Sequence, residues 1–230
     1  MLICLLVSCD DGEFSERYET LVPFHTIELN SVFDVYLVQD TVYGIRISAH
    51  ENVIKNVLLS VDTGILRISN ESRIKWMSPE SNKVKLFIHA ENFYEIWPNE
   101  TCYIKSVKPI ISDEIRLIMG HHPKLSQIDL DLDCNSFLYW NNHQCGGKVT
   151  LKGRTTKLFI YSYGLMTVEA DKLNTEFAVV ENNSKGDCKV SVADKLEYSI
   201  RGVGNIYLSG QPREIVRGEV SSSGRLIEAE

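Results

Sequence analysis

At 230 residues, 43% hydrophobic and 24% charged, the chain has the makeup of a folded protein with a sizeable core, and no long polar tract points to disorder. Its formal net charge of −7 and the lack of any basic stripe argue against a nucleic-acid partner, because affinity for phosphate rests on Lys and Arg. After residue 12 no stretch stays apolar for the roughly 18 residues that a spanning helix needs, so no transmembrane helix is expected in the body.

The first elements are expected to lie outside the fold. Residues 1–9 form an apolar run that ends Leu6-Val7-Ser8-Cys9 and is followed by Asp10-Asp11-Gly12-Glu13. The tetrapeptide resembles the bacterial lipobox, in which the Cys is acylated and becomes the mature N-terminus. Residues 1–9 are therefore read as the remnant of a lipoprotein signal peptide, with Cys9 as the lipidation site. The leader lacks the usual Lys or Arg, which a start site further upstream would explain. The acidic pair after Cys9 resembles the surface-export signal of Bacteroidetes-type lipoproteins. Residues 10–20 read as an acidic tether, and the expected location is the outer membrane, facing outward.

From residue 21 the pattern is β. Phe24 to Leu29 and Phe33 to Val38 alternate polar and apolar side chains, as half-buried strands do. His50 to Val57 is the best short helix candidate. Val57 to Val61 and Ile65 to Ile68 flank Asp62-Thr63-Gly64 in the manner of a hairpin. A polar loop over 69–82 and a strand over Val84 to Ile88 complete an irregular section, residues 21–90.

A regular repeat follows over 91–230. Ile96, Leu117, Leu138, Leu158, Phe177, Leu196 and Ile215 are separated by 21, 21, 20, 19, 19 and 19 residues. A period of about 20, carried by Val, Ile, Phe, Tyr and Thr with Gly, Asn and Ser between them, marks a solenoid of strands. The predicted fold is all-β, a right-handed parallel β-helix, with the irregular section capping one end as solenoids require. No Pro- or Gly-rich linker interrupts it, so residues 21–230 read as one domain.

The opening strands Phe24-His25-Thr26-Ile27-Glu28, Phe33-Asp34-Val35-Tyr36-Leu37 and Gly64-Ile65-Leu66-Arg67-Ile68 resemble those of a known family. So do the turns Gly202-Val203-Gly204-Asn205-Ile206-Tyr207 and Ser222-Ser223-Gly224-Arg225-Leu226. The family is the putative auto-transporter adhesin, head GIN domain, frequent in lipoproteins of gut Bacteroidetes. The resemblance runs from about Leu21 to the C-terminus and implies the β-helix fold. It brings no catalytic residues. The middle turns, Met119-Gly120-His121-His122 and Asn141-Asn142-His143, depart from the family's Gly/Ser pattern.

Equal offsets from the seven anchors define columns. Five places on, the column reads Thr101, His122, His143, Tyr163, and two places on it reads Pro98, Met119, Trp140, Ile160. The first is expected to face outward and the second inward. Bulky His and Tyr side chains are not needed to bend a chain, so His122, His143, Tyr161 and Tyr163 are the candidate ligand-binding face. Stacked rings there suit the apolar faces of sugars. His122 and His143 on adjacent turns lack clear third and fourth ligands, so no metal site is assigned and no cofactor is expected. Trp97 and Trp140 are read as core. Asp129, Asp131 and Asp133 alternate with Leu130 and Leu132, which places three carboxylates on one strand face. That pattern suits a solvated face, with a polysaccharide lyase or hydrolase as the alternative, and no Lys or Arg is seen at the same offset on neighbouring repeats. Cys102 and Cys145 fall two turns apart, about 10 Å, beyond the reach of a disulfide at roughly 7 Å. All four body cysteines are expected to be free and mostly buried. The reading that unites these features is a non-enzymatic, surface-anchored lipoprotein for adhesion or contact with a glycan, envelope or cell-surface protein. The alternatives are the β-helix enzyme and a structural spacer.

Overall fold

The computed structural model describes residues 14–72 and 83–228. The lipobox with Cys9 lies outside the described residues. So do residues 10–13 of the tether and most of the polar loop. Residues 14–20, read from sequence as tether, form a strand, β1 (Phe14–Thr20).

The chain continues as β2 (Thr26–Leu29), β3 (Phe33–Gln39), β4 (Gly44–His50), a one-turn helix α1 (Glu51–Ile54), β5 (Val57–Asp62), β6 (Ile65–Asn70) and β7 (Lys85–Ala90). Then come β8 (Glu95–Pro98), β9 (Cys102–Ser106), β10 (Ile110–Ile118), β11 (Ser126–Trp140), β12 (Gly146–Ser184), β13 (Cys188–Ile200), β14 (Ile206–Ser209), β15 (Glu214–Val220) and β16 (Leu226–Glu228). From β8 onward each turn stacks in parallel on the one before, so the chain is a curled β-solenoid. The longest elements bend around corners. β11 pairs with β9 through Gln127–Asp129 and with β10 through Leu132–Trp140.

Three faces result. The first carries β6, β2, β8 and the ends of β10 and β11. The second carries β7, β3, β9 and the start of β11. A short third face is formed by segments such as Leu132–Cys134 and Gly153–Thr155, which pair with each other. Side chains alternate along each strand, so every turn contributes an inner row to one core. Ile27, Ile96 and Leu117 stack on the first face, and Val35, Ile104 and Ile128 on the second, all buried.

The cap is present. β4 runs antiparallel to β7, β1 antiparallel to β4, and β5 antiparallel to β6, so both main faces end in strands that cannot accept another parallel turn. The rest of residues 21–90 is solenoid. β2 and β3 make one turn, β6 and β7 another. The spatial order differs from the chain order. β2 lies between β6 and β8, and β3 between β7 and β9.

The register corrects the sequence ladder. Leu117 pairs with Tyr139, not Leu138, because the corner after β10 spends one more residue than the period allows. Tyr139 and Phe137 are fully buried, whereas Leu138 faces out between Arg116 and Phe159. Phe177 is likewise outside, at 39% exposure. Leu158 and Leu196 are buried as expected. Trp140, expected in the core, points outward at 40% exposure, and Trp97 is half-buried on the same outer surface.

The corners have two devices. Where the second face meets the third, Gly153 sits at φ +102°, and a Cβ there would lie 2.1 Å from the Leu132 carbonyl oxygen of the turn below. Only glycine permits that approach. Where the first face meets the second, buried asparagines close the bend. The Asn141 side chain donates to the Tyr163 carbonyl at 2.7 Å and accepts from the His143 amide at 3.0 Å. Asn182 repeats the pattern, accepting from the Ser184 amide at 3.0 Å and donating to the Gly186 carbonyl at 3.1 Å.

All four body cysteines are free and buried, as expected. Burial pushes the Cys102 and Cys188 thiols up to about 12 and the Cys145 thiol to about 11, so these are inert core groups.

Candidate functional site

The outer side of the first face carries two adjoining columns of apolar side chains. One is Trp97, Ile118, Trp140 and Tyr161, each beside the next across paired strands. The other is Leu138 and Phe159, with the ion-paired Arg116 beside Leu138 at its end. Val179 is half-buried, and Phe177, Tyr163 and Leu165 are exposed at 39%, 39% and 54%. Paired strands stand about 4.8 Å apart, so the rings form a platform with one group per strand spacing. A contiguous apolar stripe on the solvent side of a sheet is the kind of feature that marks an interaction site.

At one edge of the stripe lies the histidine corner. The rings of His121 and His143 approach to 3.8 Å between centroids, and His122 turns instead to Glu100 at 3.9 Å. The pairing expected for His122 with His143 therefore belongs to His121, for the same one-residue reason that displaces Leu138. Partial burial, with the neighbouring His121 as a smaller cause, lowers the affinity of His143 for a proton. The Asn141 hydrogen bond to the His143 amide holds this corner against Tyr163 on the next turn. Tyr161 is half-buried and Tyr163 exposed, on the same side of the chain. The structure thus brings His121, His143, Trp140, Tyr161 and Tyr163 to one region and leaves His122 at its rim. Among the described residues no group of three or more His, Cys, Asp or Glu side chains is placed to hold a metal.

The second face is different. Asp131 meets Lys152 at 3.3 Å, and just past it, on the third face, Asp133 meets Arg154 through two bonds of 2.6 and 2.7 Å. Asp129 lies beside Lys105 in register. The cations absent from the sequence reading are present one turn away, 21 residues on in the case of Lys152 and Arg154. Glu169 is bracketed by Lys148 at 2.5 Å and Lys189 at 3.3 Å. The Arg154 guanidinium holds the Asp133 carboxyl below its ordinary range, and Lys148 does the same for Glu169. Carboxylates held ionised by partners on the adjacent turn are a solvated ladder of alternating charge, not a pair with one proton-bearing member as general acid–base work requires.

The family model for the putative auto-transporter adhesin, head GIN domain, matches residues 23–212. The chain belongs to this family. Among solved structures it is similar to a putative adhesin from Bacteroides fragilis, with a TM-score of 0.84 at 18% identity over 94% of this chain and 97% of that one. It is also similar to a putative lipid binding protein from Parabacteroides distasonis, with a TM-score of 0.69 at 16% identity over 95% and 98%. A putative adhesin from Parabacteroides merdae gives 0.60 at 16% identity over 95% and 97%. No curated protein matches. At these identities the solved structures establish the shared solenoid, and the family description suggests an adhesion-type role at a cell surface. Among the described residues, no helix of this GIN-family chain is long and apolar enough to cross a membrane.

Sequence reasoning missed Ile118, Leu138, Phe159 and Val179 as surface residues. Their signal was weak because the strands they sit on are apolar on both sides.

Proposed function

We propose that the chain is a non-enzymatic adhesion module, held at the outer membrane of a bacterial envelope by lipid on Cys9, that grips glycan with the outer surface of its first face. The observation that carries the reading is the outward, half-buried stripe of Ile118, Leu138, Phe159 and Tyr161 around Trp140, which is 40% exposed. Ring faces of Trp140, Tyr161 and Tyr163 suit the C–H faces of pyranoses. His121, His143 and Asn142 at the corner supply donors and acceptors for hydroxyls beside them. The pairing of Asp131 and Asp133 with cations weakens the case for the β-helix enzyme.

A glycan array probed with the full chain tests this. Tyr161→Ala combined with Tyr163→Ala is expected to weaken any ligand found by at least tenfold, about 1.4 kcal/mol. Unchanged affinity in a folded double variant would move the site away from the stripe. The anchor is tested separately, in cells. Labelled fatty acid is expected in the wild-type protein and absent from Cys9→Ser, and equal labelling of both would overturn it.

A further inference from the structure

A groove of about 620 Å³ follows the solenoid axis where the third face meets the first. It crosses five successive turns, represented by Cys134, Thr155, Thr175, Val192 and Gly210. The first four of these are its buried floor. Asp133, Arg154, Asn174 and Ser191 line one wall, and Asn135, Thr156, Glu176 and Gln211 the other. At strand spacings of about 4.8 Å, the four steps give a channel roughly 19 Å long.

Five of its side chains are unspent. Asp133 and Arg154 bind each other, and Asn135 donates to Asp113 at 3.0 Å. Thr156, Asn174, Glu176, Ser191 and Gln211 make no side-chain hydrogen bond or ion pair with any other described residue. Elsewhere on the solenoid the outward polar rows are cross-linked between turns, as Asp131 with Lys152 and Arg201 with both Glu181 and Glu219. The chain also departs from its own regularity here. Between Ala170 and Asn174, β12 inserts residues that β13 does not match, and between Thr175 and Phe177 it is the shorter strand. Paired irregularities of this kind re-aim side chains and recur beside binding sites.

From this geometry we infer that the groove is a binding site for an extended, neutral oligosaccharide lying along the solenoid axis, separate from the aromatic stripe. Asn174 and Ser191 on one wall and Asn135, Thr156 and Gln211 on the other are amides and hydroxyls, and each can donate as well as accept. Sugar hydroxyls ask for that pairing. An extended peptide is the poorer fit. Peptides gain affinity by adding a strand to a free sheet edge, and here Cys134 of the floor is already paired with Ser112 on one side and Thr155 on the other, and Thr175 with Val192. Glu176 has no cation partner among the described residues, so a uronate chain would bring like charge against it. No aromatic side chain lines the groove, so the ligand is held by hydrogen bonds with weak affinity per ring.

The test uses the full chain and four linear hexasaccharides: β-1,4-glucose, β-1,4-mannose, α-1,4-glucose and α-1,4-galacturonate. Binding is followed by calorimetry and by NMR of the side-chain amides. At least one neutral probe is expected to bind and to shift the Asn174 and Gln211 amide signals. Asn174→Ala with Gln211→Ala should weaken that probe at least tenfold, while Tyr161→Ala with Tyr163→Ala leaves it unchanged. The galacturonate probe should bind at least tenfold more weakly than the neutral one, and Glu176→Gln should narrow the gap. The inference is overturned by no neutral probe binding at millimolar concentration. It is equally overturned by groove variants that bind like wild type or by tighter binding of the galacturonate. Loss of binding in the tyrosine variant alone would assign the ligand to the stripe and leave the adhesion reading standing without the groove.

Discussion

The first and second faces are built alike and finished differently. Both are parallel ladders with the same spacing and an inner row of Ile, Leu and Val at or near zero exposure. Outside, the second face carries Asp131–Lys152 and Lys148–Glu169–Lys189, whereas the first carries Leu138, Trp140, Phe159 and Tyr161. Stacking identical strands puts like next to like, so a charged outer row must alternate in sign from turn to turn or repel itself. The second face meets that demand. The first face meets it too where Arg67 pairs with Glu28 and Arg116 with Glu95, but between Ile118 and Tyr161 it uses apolar side chains, at the cost of leaving them partly in water. Nothing in the fold requires that exposure, which is why the difference points to a partner.

The comparison breaks most readily from the inside. If the two faces differ only outside, Leu151→Ala under the second and Leu158→Ala under the first should each lower unfolding free energy by about 2–5 kcal/mol, whereas Lys157→Ala should do little. A small loss at Leu158 alone, measured by denaturant unfolding, would mean that the first face is not packed on the common core.

Next in size are the exposed rings. Trp140→Thr with Phe159→Thr should change stability by no more than about 1 kcal/mol, since Thr suits a strand and the rings lie on the outside. The same double variant should sharply reduce binding of a fluorescent apolar dye by the folded chain. A loss of several kcal/mol would recast the stripe as structural.

The ion-pair ladder should show the smallest effect, and one that depends on pH. Lys148 lowers the Glu169 carboxyl below its ordinary 4.5, opposed by partial burial and assisted by Lys189. A carboxyl depressed on folding contributes stability above its unfolded value and loses it as pH falls through the folded one. Glu169→Gln should therefore cost under about 1 kcal/mol at neutral pH and flatten the decline in stability below pH 4.5. An unchanged acid limb would show that the ladder is decorative. The thiols give a check on the whole core. Cys102, Cys134, Cys145 and Cys188 should stay unreactive to a thiol reagent until the chain unfolds.

What could be read from the sequence follows the same division. Asp129-Leu130-Asp131-Leu132 announces which side faces water because polarity alternates with the pleat. Phe137-Leu138-Tyr139-Trp140 carries no such contrast, so the period selected Leu138 and the fold buries Tyr139. The same slip joined His122 to His143 and placed Trp140 in the core. The cations opposite Asp131 and Asp133 are hidden from the period because, counted back from the anchors Leu138 and Leu158, Lys152 and Arg154 stand one place off their partners. The groove was invisible for another reason. Thr156, Asn174 and Gln211 are ordinary polar residues until the stacked turns line them up.

The interleaving of β2 and β3 bears on how the molecule assembles. Most solenoid turns can be laid down one after another as chain becomes available, each using the last as its template. Here the first turn in the chain has no neighbour on either side until β6 and β7 arrive on one and β8 and β9 on the other. Those contacts span from 39 residues, between Thr26 and Ile65, to 69, between Phe33 and Cys102. Closing such long loops is slow. The first hundred or so residues are therefore expected to fold as a block, with the later turns added to it. The rate of appearance of native chain should be set at the amino-terminal end, and deleting whole turns from the other end should leave that rate unchanged in refolding experiments.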